Sequence, residues 1–284
     1  MTERTRRGDR GDAPAWTRRR LLIAAGAAAL VACRPPAHRG SAATAGSDRH
    51  AAAGGEPRAL RVGWLTPPGG ASPGAEAGLE LGVEEASHAA RLLGRGGVEL
   101  VRGGEGGREA LVEAADVVLG WMPAVDLAAT AASGLPALSL LPAATAEPSA
   151  GVLQIAWPEP WRRQALARAP DGGAGHHVAE WHPSLVRYGA AQLNERFARR
   201  FGSGAREDGW RAWAAVKAAA EAWLRRGDRD LASSLRALSF DGHKGAPLSF
   251  GAGGILRHPA YLVSGSGDRE TVVDTVSPPD RAPG

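Results

Sequence analysis

From residue 58 onward, short apolar runs alternate with longer stretches of helical spacing. LRVGWLTP (60–67) is an apolar run closed by prolines and predicts a buried strand. Glu76–Gly94 places Leu79, Val83, Ala86, Ala90 and Leu93 on one helical face. Val98–Val101 reads as a second strand, Arg108–Ala115 as a short helix, and Asp116–Trp121 as a third strand. Pro123–Ser133 is a helix closed by Gly134, with Pro at its start and Gly past its end. Leu135–Leu141 and Val152–Trp157 complete five strands. Strand and helix in this rhythm predict an α/β fold, a parallel Rossmann-like sheet flanked by helices on both faces.

The second half is different. Residues 185–201, 208–226 and 229–238 carry helical stripes, including Leu193 with Phe197 and Trp213 with Ala220. FDGHKGAPLSF (240–250) then predicts a turn feeding a strand, with AYLVS (260–264) as its hairpin partner. The Pro- and Gly-rich end after Val276 predicts a frayed tail.

Charge changes the picture at the amino end. The formal net charge of +4 resides in residues 1–32, where seven arginines face Glu3, Asp9 and Asp12. From Cys33 onward 27 basic and 27 acidic residues balance, which leaves no basic footprint for nucleic acid. Thr17–Ile23 reads TRRRLLI and runs into the apolar stretch LLIAAGAAALVA (21–32). Twelve helical residues rise only about 18 Å, too short for a bilayer span. The segment fits the apolar part of an export signal, and its paired arginines resemble a twin-arginine signal. Leu30-Val31-Ala32-Cys33 resembles a lipoprotein processing site, with the chain's single cysteine as lipid acceptor. Residues 33–57 form a Pro-, Gly-, Ser- and Ala-rich tether. These features predict an exported protein, lipid-anchored in the periplasm or on the outer face of the cytoplasmic membrane.

Several stretches resemble type I periplasmic substrate-binding proteins, the receptors of branched-chain amino-acid ABC transporters. RVGWLTPPGG with GLELGVEEAS, the run VVLGWMPAVDLAATAASGLPALSLLPAAT, and WAAVKAAAEAW with FDGHKGAPLSF carry the likeness. YGAAQLNERFARR (188–200) and DGHKGAPLSFGAGGILRHP (241–259) are similar to a subgroup associated with alcohol dehydrogenases that use pyrroloquinoline quinone. The resemblance implies a non-catalytic binding protein taking a small-molecule ligand, with an ABC permease or a quinoprotein dehydrogenase as partner and no cofactor of its own. A second lobe needs on the order of 100 residues, yet only 23 separate Trp157 from Trp181. The expected organisation is therefore a signal (1–32), a tether (33–57), an α/β lobe (58–157), a shortened crossover in place of the second lobe (158–184), C-terminal helices and hairpin (185–264), and a tail (265–284).

Ligands of open parallel sheets sit at the carboxyl ends of the strands. Here those ends bring forward Thr66, Gly120 and Trp121, and by resemblance Ala143 and Thr145 as partners of a ligand carboxylate. Leu141 stands where the family has serine, and a further serine after Gly120 is absent, which weakens an amino-acid reading and points to an apolar or aromatic ligand, or to none. Trp64, Trp121 and Trp157 fall near strand ends, either as an aromatic platform for a planar ligand or as packing beneath helices. HHVAEWH (176–182) reads as a polar loop, the alternative being a metal carrier built on His176 and His182. GGEGG (103–107) lacks the Lys and Ser/Thr of a phosphate loop and reads as a turn. No nucleophile elbow or dinucleotide fingerprint occurs, so an enzyme is not expected. The other alternative is an assembly lipoprotein that holds a periplasmic quinoprotein dehydrogenase.

Overall fold

The structure is a computed structural model describing residues 58–103, 107–147 and 149–279. The export signal, Cys33, the tether, most of the GGEGG turn and the last five residues lie outside the described residues.

The first half folds as its periodicity predicts. β1 (Leu60–Leu65) is apolar and almost wholly buried. α1 (Pro73–Leu92) begins three residues before its expected start at Glu76, because the Ser72 hydroxyl caps it by accepting the Ala75 N–H at 3.1 Å and Pro73 occupies the first turn. β2 (Val98–Arg102), α2 (Gly107–Ala114), β3 (Val117–Gly120), α3 (Ala124–Ala132), β4 (Ala137–Ser139) and β5 (Val152–Gln154) follow. The five strands form one parallel sheet in the order β2-β1-β3-β4-β5. Asp116 and Asp126 stand at the start of β3 and in the first turn of α3, and Asp116 accepts the Arg61 N–H at 2.9 Å.

After β5 come α4 (Glu159–Leu166), a 3-10 turn (Pro170–Gly173) and β6 (His176–Ala179). α5 (Ala190–Phe201), α6 (Glu207–Arg225) and α7 (Leu231–Arg236) then lead to β7 (Ser239–Asp241), β8 (Pro247–Phe250), β9 (Leu256–Arg257), β10 (Ala260–Ser264) and β11 (Thr271–Val276). Both faces of the parallel sheet are covered, as a parallel sheet requires. On one face Leu60, Val62, Leu119 and Leu138 share a core with Trp210, Trp213 and Val216 of α6 and Leu79 of α1. On the other, Val118 packs with Leu111 of α2 and Leu127 of α3. An isolated parallel bridge from Gln154 to Ile255 joins the β5 edge to the small sheet β7-β8-β9.

Three sequence expectations need correction. HHVAEWH is not a loop, since its first four residues are β6, and Glu180, Trp181 and His182 behind it are buried. AYLVS does not pair with the strand of the DGHKGAP turn. That strand, β8, pairs with β7 and β9, while β10 lies between β6 and β11 in a separate antiparallel sheet. The segment after residue 264 is not all tail, because Thr271–Val276 forms β11. Strand partners more than 80 residues apart, such as Tyr261 and Ala179, leave no local pattern to read.

Candidate functional site

The parallel register aligns Leu65 with Gly120 and Gly120 with Ser139, so the carboxyl ends of β1, β3 and β4 share one edge. The Trp121 N–H donates to the Leu65 carbonyl at 2.8 Å, and the Leu140 N–H to the Gly120 carbonyl at 3.0 Å. The amino ends of α1 and α6 reach the same edge, where the Ser72 hydroxyl donates to Asp208. Across from it stands the antiparallel sheet. A cleft of about 340 Å³ lies between them, lined by Trp121 from the tip of β3, by His177, Trp181 and His182 of the β6 segment, by the first turn of α6, and by Glu270 ahead of β11.

Charge in the cleft is mixed and partly uncommitted. Glu270 takes three neighbours: His177 Nε2 at 3.8 Å, His182 Nε2 at 3.6 Å and Arg206 at 3.4 Å. The Ser184 N–H donates to His182 Nδ1 at 3.2 Å, which assigns the proton of the neutral ring to Nε2. Burial lowers the His182 pKa, with Glu270 opposing and Arg206 assisting, so the ring is neutral near pH 7. Its Nε2 is buried without a hydrogen-bond partner, and so is Nε of Arg211. Both side chains are more than nine-tenths buried. Neither N–H makes a hydrogen bond within the protein, the nearest acceptor to His182 Nε2 being the Glu270 carboxylate at 3.6 Å, and both side chains line the cleft, an arrangement that favours an anionic oxygen from a ligand.

Behind the cleft lies a buried ionic network. Glu180, wholly inaccessible, accepts from Arg211 at 2.6 Å, from Arg162 at 3.1 Å and from the Trp157 N–H at 2.9 Å, with His258 Nε2 at 3.3 Å. Burial alone raises its pKa, but Arg211, His258 and Arg162 outweigh that and hold it far below the ordinary carboxylate range. Arg211 also bonds Glu207, which accepts from Arg162 at 2.8 Å and from the Glu180 N–H at 3.1 Å. This network holds the Arg211 side chain in place at the cleft floor. Among the described residues no group of three or more histidine, cysteine or acidic side chains is arranged to hold a metal ion. His176, the first residue of the metal alternative, donates its Nδ1–H to the Ala174 carbonyl at 2.9 Å.

The candidate residues named from sequence divide. Trp121 lines the cleft. Thr66 and Gly120 stand at the edge beside it, and Gly120 has no room for a β-carbon because Leu127 fills the space. Ala143 and Thr145 follow β4 on the same edge but are committed locally and do not line the cleft. The Ala143 carbonyl accepts the Glu159 N–H at 2.8 Å, and the Thr145 hydroxyl donates to the Glu147 carbonyl at 3.1 Å. The three-tryptophan platform does not form. Trp64 is buried and donates to Glu76 at 2.8 Å; Trp157 is buried, meets Trp161 edge to face and donates to the His258 carbonyl at 3.1 Å. Arg206, Arg211 and Glu270 were missed, because a polar residue in a helical stripe or a Gly-rich tail carries no mark of a cleft.

No protein-family model and no curated protein matches the chain. Solved structures do match. An ABC transporter substrate-binding protein from Desulfitobacterium hafniense superposes with a TM-score of 0.62 at 15% identity, over 76% of this chain and 100% of its own. The branched-chain amino acid transporter substrate-binding protein LivJ from Streptococcus pneumoniae, in complex with isoleucine, gives 0.60 at 9% identity, over 78% and 100%. A solute-binding protein of an ABC transporter from R. palustris, in complex with benzoate, gives 0.60 at 14% identity, over 78% and 97%. The five-stranded parallel sheet with its flanking helices is the α/β fold of the type I periplasmic binding proteins.

Proposed function

We propose that this protein is an exported, lipid-anchored and non-catalytic solute-binding protein that captures a small organic carboxylate at the carboxyl edge of its parallel sheet. One observation carries the reading: Arg211 and His182, each with a buried N–H that makes no hydrogen bond, line a cleft between two sheets together with Arg206. A ligand carboxylate would take both donors, with the exposed Arg206 closing from the rim. The Trp121 and Trp181 rings offer an apolar wall, suited to an aliphatic or aromatic body. The fold supports this, since similar structures hold isoleucine or benzoate.

The finer assignment is to a system linked to quinone-dependent alcohol oxidation, in which an ABC permease or a quinoprotein dehydrogenase is the partner. It rests on the segments at 188–200 and 241–259. In this reading the sheet β6-β10-β11 is the remnant of a second lobe, and the ligand is held against a wall of fixed position without hinge closure.

Titration calorimetry with benzoate, leucine and a primary alcohol tests the function. Saturable binding of a carboxylate, weakened about tenfold or more in Trp121→Ala and Arg206→Gln, is expected. Absence of binding across all three ligands, or tight binding of the alcohol alone, overturns it.

A further inference from the structure

A second cavity, about 750 Å³, shares no lining residue with the edge cleft and lies between residues 184–190 and the β10–β11 ladder. Lys244 and Tyr261 line it together with Arg187, Tyr188 and the Thr271–Thr275 stretch of β11. The ring of Trp181, which borders the edge cleft, lies 5.8 Å from the Lys244 side-chain nitrogen.

The chemistry of this cavity is rich in donors and poor in acids. Lys244 is buried. Its ammonium group donates to the carbonyls of Glu180 and Pro259 and lies 4.0 Å from the centre of the Trp210 ring and 5.0 Å from that of Tyr261. Tyr261 is more than nine-tenths buried, yet its hydroxyl has no hydrogen-bond partner among the described residues. Burial, then Tyr188, pushes its pKa up to about 12, so it is a protonated donor at any physiological pH. Arg187 is exposed at the rim and makes no ion pair among the described residues. The only acidic lining residue is Asp274. α5 begins at Ala190, on the cavity wall, with no side-chain cap on its first N–H groups, so the positive end of its dipole faces the same space.

The backbone around this cavity is also unusual. Tyr188 has φ 56°, a left-handed conformation that non-glycine residues rarely adopt. Gly189 follows at φ 85°. The pair lays the Tyr188 ring across Gly245, so close that a β-carbon on Gly245 would clash with it. A strained tyrosine is thereby held beside Lys244, with Leu185 and Val272 as apolar walls.

We infer that this cavity is a second binding site, for a small organic anion with an apolar body, whose charged end meets Tyr261, Arg187 and the amino end of α5. A carboxylate would accept from the Tyr261 hydroxyl and pair with the Arg187 guanidinium, while its body packs on Leu185, Val272 and the Tyr188 ring. The site shares no lining residue with the edge cleft, which uses Arg206, Arg211 and His182.

Phenylacetate is the probe, and phenethylamine its oppositely charged counterpart, each followed by saturation-transfer NMR and calorimetry on the full chain. Phenylacetate is expected to bind and phenethylamine not. Tyr261→Phe, which removes one oxygen from a buried ring, and Arg187→Gln, at an exposed position, should each weaken phenylacetate about tenfold. Arg206→Gln, in the edge cleft, should leave unchanged the component of phenylacetate binding that Tyr261→Phe and Arg187→Gln weaken. The inference fails if phenylacetate does not bind, if the amine binds equally well, or if Arg206→Gln removes binding that Tyr261→Phe and Arg187→Gln retain. The last outcome would move the ligand to the edge cleft, supporting the proposed function while overturning this site.

Discussion

Gly78 of α1 and Gly209 of α6 meet backbone against backbone, so that a β-carbon on Gly78 would collide with the Gly209 carbonyl. A β-carbon on Gly209 would in turn lie 3.1 Å from the Gly74 carbonyl and 3.0 Å from the Phe197 ring. This contact lets the two longest helices lie close together on the sheet and delivers the first turn of α6, with Arg206, Asp208 and Arg211, to the cleft. Gly78→Ala should force the helices apart and cost about 1–3 kcal/mol or more, as overpacking does. A chemical denaturation midpoint unchanged from wild type would show that the helices tolerate the separation.

Glu180 is the anion around which Arg162, Arg211 and His258 gather. Removing one partner of a buried charged set leaves the others uncompensated, at about 3–5 kcal/mol. Glu180→Gln keeps the shape and removes the charge, so it should destabilise by that order and loosen Arg211. The expected result is a lower urea midpoint together with weaker carboxylate binding in the edge cleft. A midpoint within about 0.5 kcal/mol of wild type would mean that the network is not needed for the fold.

Acid should weaken the protein in two stages. His182, His243 and His258 all have lowered pKa values, burial being the largest cause in each. The unfolded chain therefore takes up protons near the ordinary histidine value of 6.5 before the native state does, and stability declines as pH falls below it. Glu180 is likewise lowered, so a second decline begins near the ordinary glutamate value of 4.5. Urea midpoints measured from pH 7.5 to 3.5 should fall across both windows. His258→Gln should flatten the upper one, and an unaltered upper slope would remove His258 from the account.

Lipid anchoring makes a separate prediction. Expressed in a bacterium with lipoprotein processing, the wild-type protein should enter the detergent phase on phase partitioning, and Cys33→Ser should remain in the aqueous phase. A wild-type protein wholly in the aqueous phase would rule the anchor out.

The parallel sheet was legible because each strand is a short apolar run bounded by turn residues, and each early helix keeps an apolar stripe such as Leu79, Ala86 and Ala90. β6 and β11 were not. The histidines of β6 precede its two buried residues, Val178 and Ala179, which lie on opposite faces, and only the last residue of β11 is buried, so neither shows the alternation of a half-buried strand. The site was legible at Trp121, where the strand-tip rule applies. Trp64 and Trp157 obeyed the same rule in sequence, yet turned inward to core partners. Glu180, Arg211 and Lys244 are invisible to hydropathy, because a charged residue that is buried and paired looks in sequence like one on the surface.

The bridge from Gln154 to Ile255 has an effect beyond joining two sheets. An unpaired border strand is a template on which a foreign chain can lengthen a sheet. Here a loop from far along the same polypeptide already occupies that place beside β5, and the opposite border, β2, exposes Glu99 and Arg102. Crowding many copies onto a small area should therefore not zip them together through their main chains, and any self-assembly would have to be negotiated by side chains alone.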